Sequence, residues 1–133
     1  MKIQTVWQTQ KQFISTDENE HSVLIDALES NGDQGSGQTP ADLLVSALGG
    51  CMGISMMTSL KNYDEPVEEL RIDLDATKSE EVPKRIEEVK LTIQIKTDIP
   101  EKIVDRIVKL SHEKYCRISN SINADLIVEV NYL

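Results

Sequence analysis

Hydrophobic positions along the chain switch between a period of two and a helical period, and the switches mark out its elements. Residues 2–9 and 12–16 are short, β-branched-rich runs on either side of a polar Gln10-Lys11-Gln12 turn, and a third apolar run spans His21 to Ala27. Short runs of this kind separated by turn residues predict a strand meander. Glu29 to Gln38 follows, with three glycines in six residues. That stretch predicts a flexible loop, long enough to carry the chain onto another surface.

Thr39-Pro40 predicts a helix start. Threonine can cap, Pro40 suits the first helical position, and Asp42 falls in the first turn, where the dipole favours a negative charge. Projecting residues 40–60 at about 100° each puts Leu44, Ala47, Leu48, Cys51, Ile54 and Ser55 on one face. Asp42, Ser46, Gly49 and Gly53 fall opposite, a stripe of small residues that would let another backbone come close. A helix apolar almost all round is expected to be enclosed on both sides.

Beyond Pro66, Leu70, Ile72, Leu74 and Ala76 alternate with polar residues, and across Glu80–Lys84 the alternation resumes with Val89, Leu91, Ile93 and Ile95. Two strands with one apolar face each predict an antiparallel hairpin whose inner face covers the helix. Asp98 and Pro100 open a second helix with the stripe Ile103, Val104, Ile107, Val108, Leu110 and Ser111. Continued as an α-helix, it puts Cys116 about 220° from Ile103, beside Asp105, Lys109 and His112. Cys116 is therefore expected on the polar side, outside the core. Leu126, Val128, Val130 and Tyr132 predict a final strand. The fold class is α+β, in one domain spanning residues 1–133.

Composition narrows the function. Aromatic residues are 4% of the chain, so the core must be aliphatic, with few platforms for a stacked base or flat cofactor. The net charge is −9 and no Lys/Arg-rich block occurs, so the attraction to phosphate on which nucleic-acid and anionic-membrane binding rest is missing. The N-terminal residues lack the apolar run of a signal peptide. The uncharged stretch Leu43–Leu60 is broken by glycines and hydroxyls. A soluble cytoplasmic protein is expected, in which a permanent disulfide would be unusual.

Against that background the two cysteines carry the chemistry. Cys51 and Cys116 are the only ones, and neither belongs to a CxxC motif or a Cys/His cluster, so they make a poor zinc site and a plausible thiol redox couple. A cysteine on an apolar helix face can equally be a small structural hydrophobe.

The segments around them are informative as words. Pro40-Ala41-Asp42-Leu43-Leu44-Val45-Ser46-Ala47-Leu48-Gly49-Gly50-Cys51 resembles the Pro-x-Glu-Leu-Leu-x-x-Ala-Leu-Gly-Gly-Cys segment of the osmotically induced protein C (OsmC) family, which includes the organic hydroperoxide resistance (Ohr) proteins. Lys114-Tyr115-Cys116-Arg117-Ile118-Ser119-Asn120-Ser121 resembles the family's second segment, Cys-Pro-Val-Ser or Tyr-Cys-Ser-Val. The resemblance implies an intertwined homodimer with two central cysteine helices sandwiched between sheets. It implies thiol peroxidase activity, with Cys51 attacking an organic hydroperoxide and Cys116 resolving the sulfenic acid to a disulfide. It also implies reduction by a dithiol such as a lipoyl group, and no metal, flavin or haem cofactor.

The family's hydroperoxidases place an arginine in the turn after the first strand, held by a glutamate just after the helix proline. Here that turn is Gln10-Lys11-Gln12, the first arginine is Arg71, and the glutamate position is Ala41 with Asp42 one residue on. The chain thus resembles a divergent subgroup in which Lys11 and Asp42 are the candidate cation and acid. Nine residues separate Asp42 from Cys51, about 13.5 Å of helical rise and about 180° of rotation, so an acid acting on that thiol would have to come from a partner subunit.

Bland readings stand beside these. Asp42 serves as a helix-start charge, His21 and His112 as solvated surface residues, Ser119 and Asn120 as a turn after the cysteine, and Met52, Met56 and Met57 as core filler. A non-enzymatic dimer on the same fold, binding a small ligand or sensing redox state, is the alternative function.

Overall fold

The computed structural model describes residues 1–28 and 35–133. Its first compact unit is Met1–Leu44. The expected meander is there as β1 (Ile3–Thr9), β2 (Gln12–Asp17) and β3 (Ser22–Ile25), antiparallel in the order β1-β2-β3. Trp7 pairs with Phe13 and Phe13 with Ile25. The β1–β2 turn is tight, with Gln10 at φ 46° and its carbonyl accepting the Trp7 indole N–H at 2.8 Å. β1 is exposed along its whole length.

Of the loop expected over 29–38, positions 29–34 lie outside the described residues. Its far end is anchored through Asp26, a buried acid whose carboxylate accepts the N–H groups of Ala27 at 2.7 Å and Ser36 at 2.9 Å. The Ser36 N–H, outweighing burial together with Ala27, Gln12 and the nearby charge of Lys11, holds the Asp26 carboxyl below its ordinary value. At Gly37 a side chain is impossible, since a Cβ would lie 2.5 Å from the Leu24 carbonyl oxygen.

α1 runs Pro40–Leu60, the span expected. Its start is fixed reciprocally: the Thr39 Oγ1 accepts the Asp42 N–H, and the Asp42 carboxylate accepts the Thr39 N–H, both at 3.1 Å. This is a capping box shortened to fit an aspartate.

The second unit is Val45–Leu133. β4 (Val67–Lys78) and β5 (Ile86–Thr97) form the antiparallel hairpin, and β6 (Asp125–Tyr132) adds to β5 in parallel. The order is therefore β4-β5-β6. Val89, Leu91, Ile93 and Ile95 of the central strand are all buried. α2 (Glu101–Leu110) turns Val104, Ile107 and Val108 inward. The helix stripe Leu48, Met52, Met56, Leu60 completes this core. Each such side chain removed from water contributes about 2 kcal/mol.

Two expectations are corrected here. The covered face of α1 is Leu48/Met52/Met56/Leu60, not the face centred on Cys51. Gly49 and Gly53 belong to this covered side: a Cβ on Gly49 would meet Leu74 Cδ1 at 2.8 Å, and one on Gly53 would meet Ile72 Cδ1 at 3.6 Å. The small-residue stripe thus admits β4 side chains rather than another backbone. Ile54, 71% exposed, and Met57, 39% exposed, lie outside this covered face. The physical reason is that a helix apolar nearly all round has no preferred phase, so periodicity cannot choose which face packs. By length and mean hydropathy α1 is also apolar enough to cross a membrane, and its Leu48/Met52/Met56/Leu60 stripe is packed in the core.

Candidate active site

α2 does not end as an α-helix. Ser111–Tyr115 forms a single π-helical turn, closed by the Cys116 N–H donating to the Ser111 carbonyl at 2.7 Å. Cys116 itself leaves the helix in an extended conformation, φ −76° and ψ 107°. The wider turn and the abrupt exit rotate it away from the position that an unbroken α-helix predicts. Cys116 is fully buried, a member of the core, which corrects the expectation that it faces the polar side.

The residues after it form a pinned turn. Ser119 Oγ donates to the His112 carbonyl at 2.8 Å and the Cys116 carbonyl at 3.0 Å, and Asn120 Nδ2 donates to the same Cys116 carbonyl at 2.8 Å. Ser121 Oγ donates to the Arg117 carbonyl at 2.6 Å. The Ser119 N–H donates to Cys116 Sγ at 3.3 Å. Ser119 and Asn120 therefore form the turn expected of them, and they also fix the buried cysteine.

Cys51, midway along α1, is half-buried and packs against the core that holds Cys116. Both thiols are free, and each acts on the ionisation of the other. Their environments pull in opposite directions. Burial pushes the Cys51 thiol up, but the Cys116 S–H, the N–H groups of Ile118 and Arg117 and the Arg117 charge together hold it below the ordinary thiol value. Burial also pushes the Cys116 thiol up, and its bond to Cys51 adds to this, against smaller opposing contributions from Ser119. The result is one thiol, partly open to solvent, held below the ordinary thiol value, beside one that is shielded and held above it.

Of the four candidates, the structure brings Cys51 and Cys116 together. Lys11 and Asp42 belong to the first unit, where Lys11 bears on Asp26 and Asp42 caps the helix. His112, expected to be solvated, is only partly exposed, and its Nδ1 is buried without a hydrogen-bond partner. It lines a groove of about 500 Å³ with Val108, Lys109, Val128, Val130 and Tyr132. The hydroxyl of Tyr132 donates to Asp105, and burial with that carboxylate raises its pKa. Among the described residues, no group of His, Cys, Asp and Glu side chains could hold a metal ion.

Sequence reasoning missed Arg117 and Ile118 as neighbours of the Cys51 sulfur. The signal was present in Ser119-Asn120-Ser121, a run that stops helices. Ending the helix before Cys116 would have removed it from the helical projection.

Residues 32–131 match the OsmC-like protein family. The chain belongs to that family. It is 26% identical over 120 residues to protein YhfA of Escherichia coli K12, covering 90% of this chain and 87% of that protein. Its fold is shared with an OsmC-like protein from Mycoplasma pneumoniae, at a TM-score of 0.85 and 14% identity over 99% of this chain and 96% of the other. The organic hydroperoxide resistance protein OhrB of Bacillus subtilis aligns with a TM-score of 0.63 and 18% identity, over 98% and 96% of the two chains. At such identities these structures establish the fold alone.

Proposed function

We propose that this protein is a thiol-dependent peroxidase that reduces organic hydroperoxides. The observation that carries the reading is the pair of free thiols that act on each other's ionisation, the half-buried Cys51 held below the ordinary thiol value and the buried Cys116 held above it. Family membership and the organic hydroperoxide resistance proteins among the structural neighbours support it.

The Cys51 thiolate attacks a peroxide oxygen. The S–O bond forms as the O–O bond breaks, the departing alkoxide takes up a proton and leaves as the alcohol, and Cys51 is oxidised to sulfenic acid. The Cys116 sulfur then attacks the sulfenic sulfur, forming the disulfide and releasing water. A dithiol of the lipoyl kind returns both cysteines to thiols and is itself oxidised to a cyclic disulfide. A reducing cytoplasm, where the resting pair stays free, suits this cycle.

Treating the reduced protein with an organic hydroperoxide and digesting it without reductant should give a linked Cys51–Cys116 peptide by mass spectrometry. Two free thiols, or only intermolecular links, would count against the reading.

The working unit in this proposal is a homodimer. Ile54 and Met57 on α1 are exposed, as are Ile3, Val6 and Trp7 on β1, and a second copy of the chain would cover apolar surface of this kind. Dilution should lower the unfolding temperature. A folded monomer in sedimentation at micromolar concentration would remove the dimer from the proposal.

A further inference from the structure

The π-helical turn re-routes one backbone hydrogen bond. In an α-helix the Cys116 N–H would donate four residues back, to His112; here it donates to the Ser111 carbonyl at 2.7 Å. The hydroxyl of Ser119 takes that place on the His112 carbonyl at 2.8 Å, and it also reaches the Cys116 carbonyl at 3.0 Å. Ser119 thus ties the far side of the turn to the end of α2. Its own N–H is used differently from those that follow it. Asn120 donates to the Cys116 carbonyl at 3.3 Å, and Ser121 and Ile122 donate to the Ile118 carbonyl at 3.0 and 3.2 Å. The Ser119 N–H instead meets the Cys116 sulfur, at 3.3 Å. A thiol sulfur is a weak acceptor and an ionised acceptor a strong one, so this bond strengthens as the sulfur gains charge. Cys116 is fully buried, and a thiol in apolar surroundings is ordinarily inert. Burial and the Cys51 sulfur raise the Cys116 thiol, and Ser119 opposes them.

We propose that Ser119 is the positioning residue of Cys116 as a nucleophile: its hydroxyl closes the widened turn that carries the cysteine inward, and its N–H supports the sulfur that attacks Cys51. This deepens the peroxidase reading and rests on it for its role in turnover. Once Cys51 is a sulfenic acid, the Cys116 thiolate attacks the sulfenic sulfur. The S–S bond forms as the S–O bond breaks, and the departing hydroxide takes up a proton and leaves as water. Favouring the thiolate raises its fraction more than it lowers its nucleophilicity, so the donor at the sulfur quickens the step. A slow step would leave the sulfenic acid open to further, irreversible oxidation. Ser119 shortens that interval.

The test needs no peroxide. Reduced full-length protein is treated with dithiobis(nitrobenzoate), which places a mixed disulfide on the half-buried Cys51 and releases one aryl thiolate. Attack by Cys116 on the Cys51 sulfur then forms the protein disulfide and releases a second. Both releases are followed by absorbance, and the linked peptide is confirmed by mass spectrometry. Ser119→Ala should leave the first release unchanged and slow the second at least about three-fold. Ser119→Thr should restore it. Ser121→Ala, which removes another pin of the same turn, the bond to the Arg117 carbonyl at 2.6 Å, should give the second release at the wild-type rate. If Ser119→Ala loosens the fold, both thiols react at once, and the isosteric pair Ser119→Thr and Ser119→Val carries the same contrast. The proposal is overturned by an unchanged second release in Ser119→Ala, by Ser119→Thr as slow as the variant lacking the hydroxyl, by an equal slowing in Ser121→Ala, or by a wild type that gives no second release. Hydroperoxide consumption by the wild type scores the peroxidase reading separately: exchange without consumption sinks that reading and leaves Ser119 as the positioning residue of a thiol pair.

Discussion

The two cysteines occupy opposite kinds of local structure. Cys51 sits in the middle of a regular 21-residue helix, where neighbouring backbone groups are tied up in the helix and nothing ionisable lies nearby in sequence. Cys116 follows a π-helical turn and begins a turn held by three side-chain pins. The regular element supplies a thiol at a fixed place and leaves it chemically ordinary. The irregular element brings a second thiol, and that thiol together with the Ile118 and Arg117 N–H groups and the Arg117 charge lowers the Cys51 thiol against the opposing push of burial. The lowering is exerted by the irregular segment on a residue of the regular one.

The sharpest way to break this comparison is to remove each sulfur in turn. Cys51→Ser should abolish hydroperoxide consumption. Cys116→Ser should retain a single turnover and then stop at sulfenic or higher acids. Stopped-flow hydroperoxide consumption with mass analysis of the product separates the two, and loss of the initial burst in the Cys116 variant alone would reverse the assignment.

A smaller effect should appear in the resting protein. With both thiols reduced, Cys51 should alkylate at pH values below the ordinary thiol range, because its folded pKa is depressed and its thiolate fraction at any given pH is correspondingly larger. Cys116, fully buried and with its pKa raised, should be modified at least about ten-fold more slowly near neutral pH, since only the thiolate reacts. Equal rates for the two peptides would show that the environments do not differ as described.

Much of the architecture was legible from pattern. α1 was expected over the residues it occupies because Thr39-Pro40 and the sheer length of the apolar run leave little choice, and the β4–β5 hairpin followed from clean alternation on two strands. α2 had a well-defined stripe, and its Val104, Ile107, Val108 and Ser111 are buried as the pattern requires. The parallel pairing of β6 with β5 was not legible, since alternation reveals a strand's faces and not its neighbour. The site was half legible. Pairing Cys51 with Cys116 came from words in the sequence that match a family, whereas the placement of Cys116 was missed because projection assumes 3.6 residues per turn through a stretch that abandons that geometry.

The π-helical turn also has a genetic reading. A turn of this kind accommodates one more residue than an α-helical turn, so the thiol pair depends on the length of the chain between Ser111 and Cys116 as much as on the presence of two cysteines. Losing a single codon there would rotate everything downstream by about 100° relative to α2, leaving every remaining amino acid unchanged while carrying the second sulfur away from the first. Gaining such a codon could bring an outward-facing cysteine into register in one step. Lineages of this fold could therefore acquire or discard a paired thiol through an insertion or a deletion, with no substitution at either cysteine to mark the event.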